Sequence, residues 1–156
     1  MMMFRVWLFA GLLLLSKSAF AGDPRAAQPK ILFAWTNQSG STLYIEEISP
    51  NGQFSGQYIN RAQGTGCRNL PYPMTGALYG NAVTFTVKWQ GAQQSCNSIT
   101  SWTGFISGSE IVGELKISTQ WQLVVNGSTN VNQIITGSDT FMPEPTLELK
   151  SLKLDP

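Results

Sequence analysis

The stretch from Ser95 to Phe105, SCNSITSWTGF, carries the pattern on which the fold turns. Read as a β-strand, it points successive side chains to opposite faces, so Ser98, Thr100 and Trp102 share one face. Two hydroxyls beside the largest apolar side chain is an unusual pairing, because polar and bulky apolar residues normally take opposite faces. Such a face suits the lining of a wet or ligand-filled interior better than a dry core.

Outward from this strand, Gly, Ser, Thr, Asn and Gln punctuate the chain at intervals of about 8–12 residues, the spacing of short antiparallel strands. Residues 35–40, WTNQSG, give a short strand and turn, and 41–49 alternate apolar Leu43 and Ile45 against Tyr44 and Glu46. Pro50-Asn51-Gly52 is a turn in which proline presets φ and glycine accepts positive φ. A strand follows at 53–60, while RAQGTGCRNLP at 61–71 is too glycine-rich and proline-bounded for one. Residues 72–80 and 82–89 flank Gly80-Asn81 as a hairpin. Residues 90–97 read as a loop, 98–107 as a strand, 110–126 as a longer strand, 127–136 as a connection with at most one helical turn, and 137–143 as the last strand. No segment sustains a 3.6-residue apolar period.

Eight strands without a helix imply an all-β fold. An eight-stranded antiparallel up-and-down β-barrel serves them best, since closure leaves no exposed edge. A β-sandwich is the competing arrangement. Barrels of this size are just wide enough to hold one small ligand, which places a ligand pocket at one end of this one.

The ends have a different composition. Residues 1–21 carry Arg5, an apolar run from Val6 to Leu15, and Ala19 and Ala21 in the spacing of a signal-peptidase site. They are expected to be a signal peptide, making the protein secreted or periplasmic. Cleavage after Ala21 removes Arg5 and Lys17 and takes the formal charge from +1 to −1. A near-neutral chain has no electrostatic footprint for nucleic acid or an anionic membrane. Residues 22–34 form an N-terminal segment, 35–143 the barrel and 144–156 a C-terminal tail. In that tail Leu147, Leu149, Leu152 and Leu154 alternate with charged residues, a pattern able to add as a strand or dock on a neighbouring subunit, with a disordered end as the alternative. Cys67 and Cys96, an even number in an exported chain, are expected to pair as a disulfide, with two free thiols as the alternative.

The sequence contains no histidine, which removes imidazole-based triads and His-containing metal sites. Its nine acidic residues show no metal-ligand spacing, and no nucleophile elbow, P-loop or dinucleotide fingerprint occurs. The balance favours binding without catalysis and without a metal or cofactor, although a carboxylate-only hydrolase leaves no sequence trace.

The mixed face of the opening strand recurs. Asn37 and Ser41 share parity with Trp35, Tyr58 shares parity with Asn60, Trp121 with Leu123, Phe85 and Val87 with Trp89, and Asp139 with Phe141. If each tryptophan marks the interior, Asn37, Ser41, Ser98 and Thr100 point inward as well. Each buried hydroxyl or amide without a partner costs about 1–3 kcal/mol. So many together make sense if they pair with one another, with water or with a ligand.

Taken in order, WTNQSGST (35–42), GQYINRAQGTGC (56–67), TFTVKW (84–89), SITSWTG (98–104), STQWQL (118–123) and GSDTF (137–141) resemble the avidin and streptavidin family of biotin-binding proteins, and most closely its dimeric bacterial branch. The resemblance implies that Asn37, Ser41 and Tyr58 donate to the ureido oxygen of biotin and that Asp139 accepts from one ureido N–H. Asn60 stands where streptavidin has a serine accepting from the other. The resemblance further sets Thr100 toward the thiophene sulfur, Ser98 toward the valerate carboxylate, and Trp89, Trp102 and Trp121 with Leu123 as the walls. Trp35 matches a structural tryptophan at the closed end.

Three positions depart from the streptavidin pattern. The connection STNVNQII offers Val131 where streptavidin sends a tryptophan into a neighbouring subunit, which fits a homodimer with a self-sufficient pocket. Ser39 replaces an apolar residue. Cys67 and Cys96 fall in two loops at the pocket mouth, where a disulfide would hold RAQGTG near the ligand. High-affinity biotin binding by an exported protein is therefore the leading expectation. A carrier of another small ligand and a secreted inhibitor that grips a protein through its loops are the alternatives.

Overall fold

The computed structural model of the chain describes residues 33–108 and 114–144. Eight antiparallel strands close into a barrel in sequence order: β1 (Phe33–Asn37), β2 (Thr42–Ile48), β3 (Gln53–Ile59), β4 (Pro71–Tyr79), β5 (Ala82–Trp89), β6 (Ser98–Ser107), β7 (Lys116–Val125) and β8 (Ile135–Pro143). Closure is made by β1 against β8, with Trp35 opposite Pro143 and Asn37 opposite Phe141. The up-and-down barrel expected from the strand count is what forms, and the sandwich is set aside.

Local chemistry explains most strand ends. Gly52 adopts φ +84° after Pro50-Asn51 and Gly80 φ +61° before Asn81, so the turn residues supply the left-handed backbone these hairpins need. Between β7 and β8 a single 3₁₀ turn, Val131–Gln133, is closed by a reciprocal capping box in which Asn130 and Gln133 satisfy each other's backbone N–H groups.

Three boundaries differ from the sequence reading. Strand β1 begins at Phe33, two residues before Trp35, and β8 begins at Ile135, paired with Leu123, before the Gly137 taken as its start. Of the long strand read from residue 110, residues 110–113 lie outside the described residues, Glu114 and Leu115 belong to the connection, and β7 begins at Lys116. The expected signal peptide, most of the N-terminal segment and the tail from residue 145 lie outside the described residues.

Inside the barrel the eight strands build two layers. Toward the closed end, Ile45, Phe54, Met74, Val83, Phe85, Ile117 and Phe141 are buried in one continuous apolar cluster that includes Trp35. Toward the other end, the same inward positions carry Asn37, Ser41, Ser98 and Thr100, all buried. In β6 the alternation is complete: Ser98, Thr100 and Trp102 are buried while Ile99, Ser101 and Thr103 are exposed. The polar and indole side chains of the opening stretch do share the inner face.

Candidate ligand-binding site

A cavity of about 300 Å³ occupies this polar end, at the lower limit of small-molecule sites. All eleven residues singled out from the sequence line it: Asn37, Ser41, Tyr58, Asn60, Trp89, Ser98, Thr100, Trp102, Trp121, Leu123 and Asp139. Trp35 does not, in keeping with a structural place deeper in the barrel, and neither does Val131, which is 78% exposed on the 3₁₀ turn. A larger hollow of about 940 Å³ runs across β6, β7 and β8, but most of its lining, such as Ser101, Thr103, Gln120 and Thr136, is exposed side chain of the outer sheet face.

One side of the cavity is a cluster of hydrogen-bond donors. The Asn37 side-chain oxygen accepts the backbone N–H groups of Ser39 (3.0 Å) and Ser41 (2.9 Å), which fixes the amide orientation and turns its Nδ2 toward the Tyr58 hydroxyl, 3.5 Å away. Ser41 Oγ accepts from the Arg61 N–H at 2.9 Å, and its own proton has only a long contact to Asn60 Oδ1 at 3.5 Å, which a ligand oxygen can replace. Burial, and secondarily the charge of Asp139, push the Tyr58 phenol well above its ordinary value. It therefore stays protonated and can donate. Three neutral donors, on β1, on the β1–β2 turn and on β3, thus line one region.

On β8, the strand paired with β1, lies one carboxylate. Asp139 Oδ2 accepts from the Trp102 indole N–H at 2.8 Å and Oδ1 from the Gln38 amide at 2.8 Å, so both oxygens are held and each retains a lone pair. Thr119 Oγ1 donates to the Asp139 backbone carbonyl at 3.2 Å. Among the described residues, Asp139 is the only charged side chain lining the cavity.

Aromatic walls join the two sides. Trp102 stacks on both Tyr58 and Phe85, with ring centroids 5.0 Å from each, and Trp89 meets Tyr58 edge-on at 5.7 Å. The Trp89 indole N–H donates to Thr100 Oγ1 at 2.7 Å, so the Thr100 hydroxyl has its acceptor side engaged and its proton free for the cavity. Trp121 is half-buried and rests on Gly137, where an added Cβ would stand 2.3 Å from the indole. That glycine permits the wall, a role the sequence does not show, where Gly137 reads only as the first residue of the last strand.

The mouth is built by the loop between β3 and β4. Cys67 and Cys96 form a disulfide with Cα atoms 5.9 Å apart, joining this loop to the one before β6. Asn60 organises the same loop: its amide nitrogen donates to Thr65 Oγ1 (2.8 Å) and to the Gly66 carbonyl (2.9 Å), and its oxygen accepts from the Ala62 N–H (3.0 Å). Ala62, Thr65 and Gly66 line the cavity too, as do Gln38 and Ser39. None of these was singled out as a lining residue from the sequence, since loop residues show no strand parity by which to assign a face.

A cluster of donors, a held carboxylate on the neighbouring strand and indole walls in one cavity define a small-ligand-binding β-barrel. Its relatives are specific. The avidin family model matches residues 25–144, and the chain belongs to the avidin family. It is 42% identical to afifavidin of Afifella pfennigii over 130 residues, 82% of this chain and 76% of that protein. Among solved structures it is similar to a biotin complex of a shwanavidin variant, at 50% identity and a TM-score of 0.69 over 76% of this chain and 100% of that one. It is also similar to the rhizavidin–biotin complex, at 44% identity and 0.65 over 73% and 92%.

Proposed function

We propose that this protein binds biotin non-catalytically and with high affinity, as an exported homodimer whose barrels each hold a complete pocket. The observation that supports the reading most is the pairing of two opposed sets: Asn37, Ser41 and Tyr58 as donors, and Asp139 as a fixed acceptor. A cyclic urea needs such a pair, several donors at its oxygen and an acceptor at an N–H. Donors held by strands lose little freedom on binding, and the flat apolar bicycle is matched by Trp89, Trp102 and Trp121. Biotin stands in the solved complexes of two similar chains.

In this reading Thr100 donates to the ring sulfur, Ser98 meets the valerate carboxylate, and Leu123 packs beside Trp121. Asn60 presents its oxygen to the second ureido N–H while its nitrogen holds the mouth loop. The chain has no histidine, and the cavity groups fix a ligand without activating a nucleophile. Export follows from the N-terminal 21 residues and agrees with the disulfide. A pocket without a borrowed tryptophan, Val131 standing in the β7–β8 connection, suits a dimer. Titrating the purified protein with biotin while following tryptophan emission tests the reading: quenching that saturates at one biotin per chain is expected, and emission unchanged by biotin would contradict it.

A further inference from the structure

Gln38 sits exposed in the turn between β1 and β2, yet its carboxamide reaches β8, about a hundred residues away in the chain. Its Oε1 accepts from the Thr140 N–H at 3.0 Å, and its Nε2 donates both to the Ser138 carbonyl (3.1 Å) and to Asp139 Oδ1 (2.8 Å). The backbone ladder between β1 and β8 stops at Asn37 opposite Phe141. The contacts to Ser138 and Thr140 are of the kind a backbone peptide makes, so this side chain extends the barrel seam one step past the end of the strand. The third contact goes to the cavity carboxylate.

The position of the turn makes this more than a seam. Residues 38–41 connect Asn37 to Ser41, two of the three donors, and the turn is closed by Gly40 N–H to Asn37 carbonyl at 2.9 Å and Asn37 N–H to Ser41 carbonyl at 3.0 Å. Asp139 lies on β8 with its other oxygen held by Trp102. Gln38 is therefore the direct tie between the donor-bearing turn and the acceptor-bearing strand. A carboxylate held at one oxygen only is free to swing about its terminal torsion, which is broad and roughly two-fold.

We propose that Gln38 is a positioning residue for ligand, aiming Asp139 and setting the distance between the acceptor and the donors on the β1–β2 turn. The proposal rests on the biotin reading above. It implies that Gln38 acts through Asp139, so their contributions are not additive.

The test is a double-mutant cycle in the full chain, with biotin dissociation constants for wild type, Gln38→Leu, Asp139→Ala and the pair. Gln38→Leu is expected to weaken binding roughly tenfold in the wild-type background, the size of one charge-assisted hydrogen bond, and to change it less than about twofold when Asp139 is already alanine. The same factor in both backgrounds would overturn the proposal, leaving Gln38 a seam residue only. Gln38→Glu supplies a second readout: it sets an oxygen where the Nε2 donor faces Asp139 Oδ1, so it should weaken binding more than Gln38→Leu in the wild-type background but no more than Gln38→Leu when Asp139 is alanine. The same excess in both backgrounds would contradict a role through Asp139. If wild type itself binds no biotin, the functional reading fails first and this proposal with it.

Discussion

The two ends of the barrel are made from the same eight strands with the same in-out alternation, yet they are different materials. At the closed end the inward positions are Ile45, Phe54, Met74, Val83, Ile117 and Phe141, a dry cluster whose value is packing. At the mouth they are Asn37, Ser41, Ser98, Thr100 and Asp139 among three indoles. β6 passes through both, from Ser98 and Thr100 at the mouth to Trp102 stacked on Phe85 below. One end stabilises the fold, and the other holds polar groups in place for a ligand. Substitutions at each end should therefore separate stability from binding.

The largest effect is expected at the closed end. Phe54→Ala, at a site 4% exposed, should lower unfolding stability by about 3–5 kcal/mol, measured by chemical denaturation, while biotin affinity of the folded fraction stays near wild type. Replacing Cys67 and Cys96 together by alanine releases a cross-link spanning 29 residues, and the chain-entropy estimate gives about 3–4 kcal/mol of stability. Because this link also anchors the mouth loop, it should accelerate biotin dissociation as well, which stopped-flow displacement would read; an unchanged rate would place the loop outside the binding event.

Asp139→Ala should give the reverse of Phe54→Ala. Binding weakens by about 1.5–3 kcal/mol, since a charge-assisted bond is lost and a ligand N–H is left unpaired, while stability without ligand changes little. The smallest effect concerns pH. The Tyr58 phenol is raised above its unfolded value of 10.0 by burial and then by Asp139. The unfolded chain thus sheds this proton near pH 10 while the folded chain keeps it, so stability is fully present below pH 10 and declines as pH rises beyond it. Tyr58→Phe should flatten that decline in urea titrations between about pH 9 and 11, and an unaltered slope would place the titrating group elsewhere.

How far each end is legible in the sequence depends on whether its geometry is local. Alternation is local, so Ser98, Thr100 and Trp102 could be placed on one face and the barrel's strands counted from turn residues. The disulfide followed from cysteine number and compartment. Gln38 was invisible because its contacts join a turn to a strand about a hundred residues later, leaving no period or spacing behind. Gly137 was read only as the first residue of the last strand, because nothing in the sequence shows that an indole comes to rest on it. Asn60 was placed as a ligand acceptor, but its nitrogen is engaged in holding Thr65 and Gly66, a division of one side chain that only the fold reveals. The start of β7 was set too early because Leu115 carries on the strand's apolar composition although the pairing with β6 begins at Lys116.

The claim that the mouth end is a biotin site and the closed end its support is tested most directly by thermal unfolding of the wild-type protein with and without excess biotin. A ligand that binds only the folded state at about a thousandfold its dissociation constant stabilises by about 4 kcal/mol, which for a domain of this size is a rise in Tm of roughly 15 °C. A rise of that order is expected. A melting curve that superimposes on the ligand-free one would contradict it.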